Sequence, residues 1–218
     1  MKLAIFDMDG TLLDSQALIV GAMQAAFSAE GLAVPDRPRI LSIVGLSLPV
    51  AMSRLAPQHD AEALSAAYRS AFVQMRAEMG GEAAVPLYPG AVEALTALDT
   101  AGWLMGVATG KAKRGVDHVF AAHPIGHHFM TVQTADLHPS KPHPSMVETA
   151  LAEAGVEARD AVMIGDTTFD IEMGRAAGVR CIGVSWGYHA VTALHDAGAH
   201  HVISHFDELA PLLAEVHA

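Results

Sequence analysis

The sequence predicts an α/β fold: a doubly wound parallel sheet carrying an all-helical insertion near its start. Two observations lead there. From residue 90 onward, short apolar runs alternate with segments of helical periodicity, the pattern of strands joined by crossover helices. Residues 16–87 break that rhythm, offering helical stripes and no convincing strand.

The first strand is "LAIF" (3–6), an unbroken apolar run that meets Asp7 at once. Continuous apolar strands suit a parallel sheet covered on both faces. Within the insertion, Leu48, Met52 and Leu55 recur at helical spacing. Leu64, Tyr68, Phe72, Met75 and Met79 form a longer stripe, read as packing. "VPDRP" (34–38) and "GGEAAVPLYPG" (80–90) punctuate the segment with Pro and Gly. The remaining strands are "WLMGVA" (103–108), "MTVQ" (130–133), "AVMIG" (161–165), "CIGV" (181–184) and "HVIS" (201–204). Helices are expected over 90–101, 111–121, 144–155, 168–177 and 206–215, with right-handed crossovers. This divides the chain into an α/β core, 1–15 with 88–218, and a helical segment, 16–87.

The 218 residues suffice for a full core, and 51% hydrophobic residues with a mean hydropathy of +0.30 fit a globular protein. A formal net charge of −11 argues against a nucleic-acid or anionic-membrane footprint. It does not oppose a small anionic substrate, because local donors and a bound cation can invert the field of one site. No apolar run approaches the roughly 20 residues of a membrane helix, and no basic leader precedes an apolar stretch. A cytoplasmic protein, monomer or homodimer, is expected. The single cysteine, Cys181, lies in the apolar run "RCIGVS" and reads as a buried strand residue.

Three polar turns follow three of these strands: "DMDGT" (7–11), "TGK" (109–111) and "GDTTFD" (165–170). In open parallel sheets the loops at the carboxyl ends of strands converge on ligands. Asp7, Thr109 and Asp166 can therefore share one crevice, with "SKPHP" (140–144) contributing Lys141 ahead of a helix. Gathered carboxylates at Asp7, Asp9 and Asp166 repel one another unless a cation neutralises them. A hard dication such as Mg²⁺ suits oxygen ligands and phosphate together. Thr109, the Gly110 amide and Lys141 supply donors for an anion facing it. That inventory fits phosphoryl transfer, with Asp7 as nucleophile and Asp9 as acid and base.

These motifs, in this order, resemble the haloacid dehalogenase superfamily, in the branch whose helical cap follows the first motif. Within it the chain is most similar to phosphoglycolate-phosphatase-like and β-phosphoglucomutase-like proteins. The resemblance implies a Rossmann-like core and a Mg²⁺-dependent phosphomonoester hydrolase acting on a small phosphorylated metabolite through an aspartyl-phosphate. It implies magnesium on Asp7, the Asp9 carbonyl and Asp166, with Asp170 supporting the metal site, and Thr109 and Lys141 on the phosphoryl group. Residues 16–87 become the cap, hinged near Ser15–Gln16 and Leu87–Pro89, with Gly45 and Leu46 in a loop facing the site. One departure stands out: relatives often carry Asn where this chain has Gly110.

Other candidates have plainer readings. Lys111 and Lys113 fall on the first turn of a helix, from which Lys111 can reach substrate. Arg54 is a weaker substrate contact, set against a surface salt bridge. His123, His127 and His128 lack the acid or cysteine that would complete a metal site, and His143 shapes the lysine turn. Asp14 belongs near the start of the cap helix. A phosphosugar mutase is the alternative, using Arg37, Arg39 or Arg54 for a second phosphate. A signalling receiver needs neither Asp9 nor a cap, and dehalogenation does not use an acid at Asp9.

Overall fold

The computed structural model describes residues 1–81 and 85–216. Strands β1 (Leu3–Phe6), β2 (Leu104–Thr109), β3 (Thr131–Thr134), β4 (Ala161–Gly165), β5 (Arg180–Val184) and β6 (His201–Ile203) form one sheet. Its order is β3-β2-β1-β4-β5-β6, and every pairing is parallel. The chain order reverses across β1, whose neighbours are β2 and β4, so a crevice opens at its carboxyl end. Phe6 is in register with Val107 and with Ile164, and the Asp7 amide continues the ladder to the Ile164 carbonyl at 2.9 Å.

Successive strand side chains point to opposite faces. Ala4 and Phe6 join one apolar cluster, with Leu95 and Leu98 of α5 (Ala91–Thr100) and Leu209 and Leu213 of α10 (Leu209–Val216). Leu3 and Ile5 join another, with Met146 and Val147 of α7 (Ser145–Ala154) and Ile171 of α8 (Thr168–Ala176). Both faces are thus covered, which is why β1 tolerates no polar residue. Cys181 is buried in the second cluster, where burial pushes its thiol up to about 12.

Residues 16–81 hold four α-helices: α1 (Gln16–Ala29), α2 (Arg37–Leu41), α3 (Leu48–Leu55) and α4 (Ala61–Glu78). They share a third cluster around Met23, Phe27, Ile40, Met52 and Leu64. "VPDRP" does more than punctuate: the Asp36 side chain caps α2 by accepting from the Arg39 amide, and proline occupies the first turn. The predicted α4 stripe ends early, since Met79 follows the helix and is 49% exposed. Two backbone bonds, Asp14 N to Pro86 O and Tyr88 N to Leu12 O (2.9 Å each), flank a Leu13–Leu87 bridge and close the insertion. Residues 82–84 of the predicted 80–90 break lie outside the described residues.

Several boundaries moved. β2 starts after Trp103, whose amide instead bonds the Leu98 carbonyl at 3.0 Å, and it extends to Thr109. β3 covers 131–134 in place of 130–133, and the predicted 206–215 helix opens with a 3-10 turn at Phe206–Glu208. Helix α6 (Lys113–Ala122) begins two residues later than expected. Ala112 is extended, and the Lys113 amide is satisfied by the Asp136 carboxylate at 3.1 Å. Lys111 therefore sits in the loop before the helix, not on its first turn.

Candidate active site

The carboxyl ends of β1 and β4 and the loop before α7 bring four buried charges together. The Lys141 ammonium lies 2.8 Å from Asp7 Oδ1 and 2.6 Å from Asp170 Oδ1. Asp170 Oδ2 accepts from the Thr167 amide at 3.0 Å and the Thr167 hydroxyl at 2.7 Å, making a capping box on α8. Asp166 Oδ1 accepts from the Thr11 hydroxyl at 2.8 Å and Oδ2 from the Tyr188 amide at 2.9 Å. The position of Gly10 permits this: its φ is +88°, and a Cβ there would lie 2.3 Å from Asp166 Oδ2.

Carboxylate oxygens of Asp7, Asp166 and Asp170 lie within 4.8 Å of one another. Burial raises the Asp7 carboxyl to about 7; Lys141 opposes that shift, and Asp170 and Asp9 add to it. Burial, then Asp170 and Asp7, push Asp166 well above the usual carboxylate range. Burial alone would lower the Lys141 ammonium, but Asp170 and Asp7 override it and hold it above its ordinary value. Three carboxyl groups share one ammonium, so burial and mutual repulsion favour protons on Asp7 and Asp166 unless a cation displaces them. Asp7 Oδ2 is buried with no hydrogen-bond partner, as is Asp9 Oδ1. Unsatisfied buried oxygens among clustered acids fit a hard divalent cation, which takes oxygen ligands and offsets the charge.

A cavity of about 470 Å³ separates the helical segment from the core, and Asp7, Asp9, Thr109, Gly110 and Lys111 line its core side. Lys141, Asp166 and Asp170 are not among its walls and join the site through Asp7. The Thr109 hydroxyl accepts from the Lys111 amide at 3.2 Å. Lys111 turns its ammonium onto Asp9 Oδ2 at 2.8 Å and over the Phe72 ring at 5.7 Å. The segment 43–49 forms part of the opposite wall, where the resemblance put Gly45 and Leu46. Its backbone explains Gly110: a Cβ at that position would lie 2.5 Å from the Gly45 carbonyl oxygen and 2.8 Å from that of Leu46. The Ser47 amide also donates to the Ser140 hydroxyl at 2.8 Å, and Ser15 shares a 2.8 Å hydrogen bond with the Tyr188 hydroxyl.

A family model for haloacid dehalogenase-like hydrolases matches residues 4–184. The chain belongs to that family. Among its relatives, a probable phosphatase of Dickeya dadantii, IndB, is 35% identical over 95% of this chain and 91% of its own. A phosphoglycolate phosphatase of Agrobacterium fabrum is 32% identical over 98% and 92%. The crystal structure of a hydrolase from Pseudomonas syringae superposes with a TM-score of 0.86 at 26% identity, covering 99% of each chain. The resemblance read from "DMDGT", "TG", "KPHP" and "GDTTFD" is thus shown, as is the fold.

Within this haloacid dehalogenase-like fold the motif residues meet as four turns around one crevice, and other expectations need amending. Tyr68 and Phe72 do not serve packing alone: both face the cavity, because one helical face can seal a core along one edge and line a site along the other. Burial, then Asp9, push the Tyr68 phenol up, so it stays a neutral donor. Arg54 does not line the cavity and, among the described residues, forms no salt bridge; its guanidinium stacks 5.3 Å over the Phe169 ring. Arg37 bonds the Gln16 side chain, and Arg39 the Leu55 carbonyl at 3.0 Å, so neither lines the cavity. The cations that do, besides Lys111, are Arg69, Arg76 and Arg114, among the described residues. Their helical spacing carried no signal that distinguished them from a solvated face. His123 bonds the Val85 carbonyl and His128 approaches Asp99, while His143 Nδ1 accepts from the Ser145 amide beside Lys141. Asp14 is exposed just before α1.

Proposed function

We propose that the chain is a Mg²⁺-dependent phosphomonoester hydrolase acting on a small phosphorylated metabolite, in the manner of its phosphatase relatives. One observation carries the reading. Two buried carboxylate oxygens without partners, Asp7 Oδ2 and Asp9 Oδ1, belong to residues lining the same cavity, with Lys141 against Asp7.

Asp7 Oδ2 attacks phosphorus, the ester P–O bond breaks, and the leaving oxygen takes a proton from Asp9. The aspartyl-phosphate formed on Asp7 then yields to water, whose proton returns to Asp9, releasing phosphate. Thr109 and the Gly110 amide hold phosphoryl oxygens, and Lys141 opposes their charge. Asp7, the Asp9 carbonyl and Asp166 would hold Mg²⁺, with Asp170 anchoring Lys141 behind them. The ion would neutralise the carboxylates and draw charge from the phosphoryl oxygens. Helices α1–α4 act as a cap hinged near Ser15–Gln16 and Leu87–Pro89, excluding water when closed.

The formal charge of −11 favours a small-molecule partner over nucleic acid, and no described helix is long and apolar enough to cross a membrane. For the mutase alternative, Arg37, Arg39 and Arg54 lie away from the cavity, and the cations available to a second phosphate are Arg69, Arg76 and Arg114 instead. Phosphate release from a panel of phosphomonoesters, with and without Mg²⁺, tests the reading. Wild type should turn over with Mg²⁺ alone, and Asp7→Asn and Asp9→Asn should not. Metal-independent turnover, or full activity in Asp7→Asn, overturns it. Isomerisation of glucose 1-phosphate without free phosphate would make the enzyme a mutase.

A further inference from the structure

We infer that the phosphomonoester cleaved here carries an apolar, ring-bearing leaving group rather than a two-carbon acid; the inference rests on the hydrolase reading above. The cavity that ends on Asp7 and Asp9 measures about 470 Å³. That falls within the range of roughly 300–1,000 Å³ typical of pockets for drug-sized ligands. Its walls are chiefly hydrocarbon: Ile19 and Met23 from α1, Val44 and Leu46 from the 43–47 loop, Tyr68 and Phe72 from α4. The last two place neighbouring rings, 5.8 Å apart and tilted by 38°, in that wall, with Phe72 sharing one face with the Lys111 ammonium.

A compact carboxylate fares badly in that space. Lys111, the cation nearest the acid/base, is committed to Asp9 at 2.8 Å and to the Phe72 face. A leaving-group carboxylate beside the phosphoryl group would have to compete with Asp9 for that ammonium, at a cost in free energy. It would also leave the apolar walls wet. Arg69 and Arg114 are exposed, Arg69 is held by Glu62 at 2.5 Å, and Arg76, half-buried on α4, is already engaged. An anion at the far end of a longer substrate is compatible with these arginines.

Matched alkyl esters isolate the effect, since ethyl phosphate and 2-phenylethyl phosphate release similar primary alcohols. With Mg²⁺, kcat/KM for 2-phenylethyl phosphate should exceed that for ethyl phosphate, and for phosphoglycolate, by at least ~30-fold, in line with apolar-pocket discrimination. Phe72→Ala should reduce the phenylethyl-to-ethyl ratio by roughly 5-fold or more. A ratio is unaffected by the fraction of variant that folds. Equal or faster turnover of phosphoglycolate or ethyl phosphate overturns the inference and leaves the hydrolase reading standing. A ratio unchanged in Phe72→Ala removes the ring wall from the argument and overturns it as well. If no ester releases phosphate with Mg²⁺, the hydrolase reading itself fails, and the inference with it.

Discussion

Replacing Asp7 by Asn should abolish turnover yet stabilise the metal-free protein, increasingly so as pH rises. In the fold, burial raises the Asp7 carboxyl from 3.8 to about 7. The folded state therefore binds a proton that the unfolded chain has already released, and stability falls as pH climbs between those two values. Asn, neutral throughout, escapes that loss. Between pH 5 and pH 7 the difference grows by two pH units at about 1.4 kcal/mol each, or roughly 3 kcal/mol, and it stays level above. For a chain of this size one kcal/mol moves the melting temperature by about 2–4 °C. The advantage of Asp7→Asn, measured by calorimetry in EDTA, should then widen by about 6–12 °C from pH 5 to pH 8. Activity with Mg²⁺ should drop by at least ~10⁴-fold, as for other lost nucleophiles. An advantage that shrinks with pH, or a variant less stable than wild type at pH 8, would refute the account of Asp7 as a strained buried carboxylate.

Three further outcomes follow from the same geometry. Mg²⁺ should raise the melting temperature more at pH 8 than at pH 5, because it competes with protons held on Asp7 and Asp166, both shifted upward; equal shifts at the two pH values would argue against binding there. Lys141→Met leaves Asp7 and Asp170 without their shared ammonium and should cost about 3–5 kcal/mol in metal-free denaturant unfolding. Gly110→Asn places atoms against the Gly45 and Leu46 carbonyls, so the cap loop must withdraw. We expect kcat/KM to fall by about 10–100-fold through imperfect closure, with a stability loss of only about 1–3 kcal/mol; unchanged kcat/KM would show that the contact is dispensable.

The sequence by itself determined the fold class and the motif acids, for local reasons. A parallel strand covered on both faces must be apolar throughout, and it must end where polar chemistry begins, so "LAIF" followed by "DMDGT" is legible without a structure. Strand ends and helix starts shifted by one or two residues because partners distant in sequence decided them, as Asp136 does for Lys113. The charge network was decided only by the tertiary structure. Lys141 meets Asp170 across 29 residues and Thr11 meets Asp166 across 155, and no periodicity encodes such pairings. Gly110 is the sharpest case. In the sequence it was a departure from its relatives; in the fold it is the gap into which the Gly45 and Leu46 carbonyls fit. The cavity walls are of the same kind, because a helical stripe records which residues share a face, while what stands opposite that face is settled only when the chain closes.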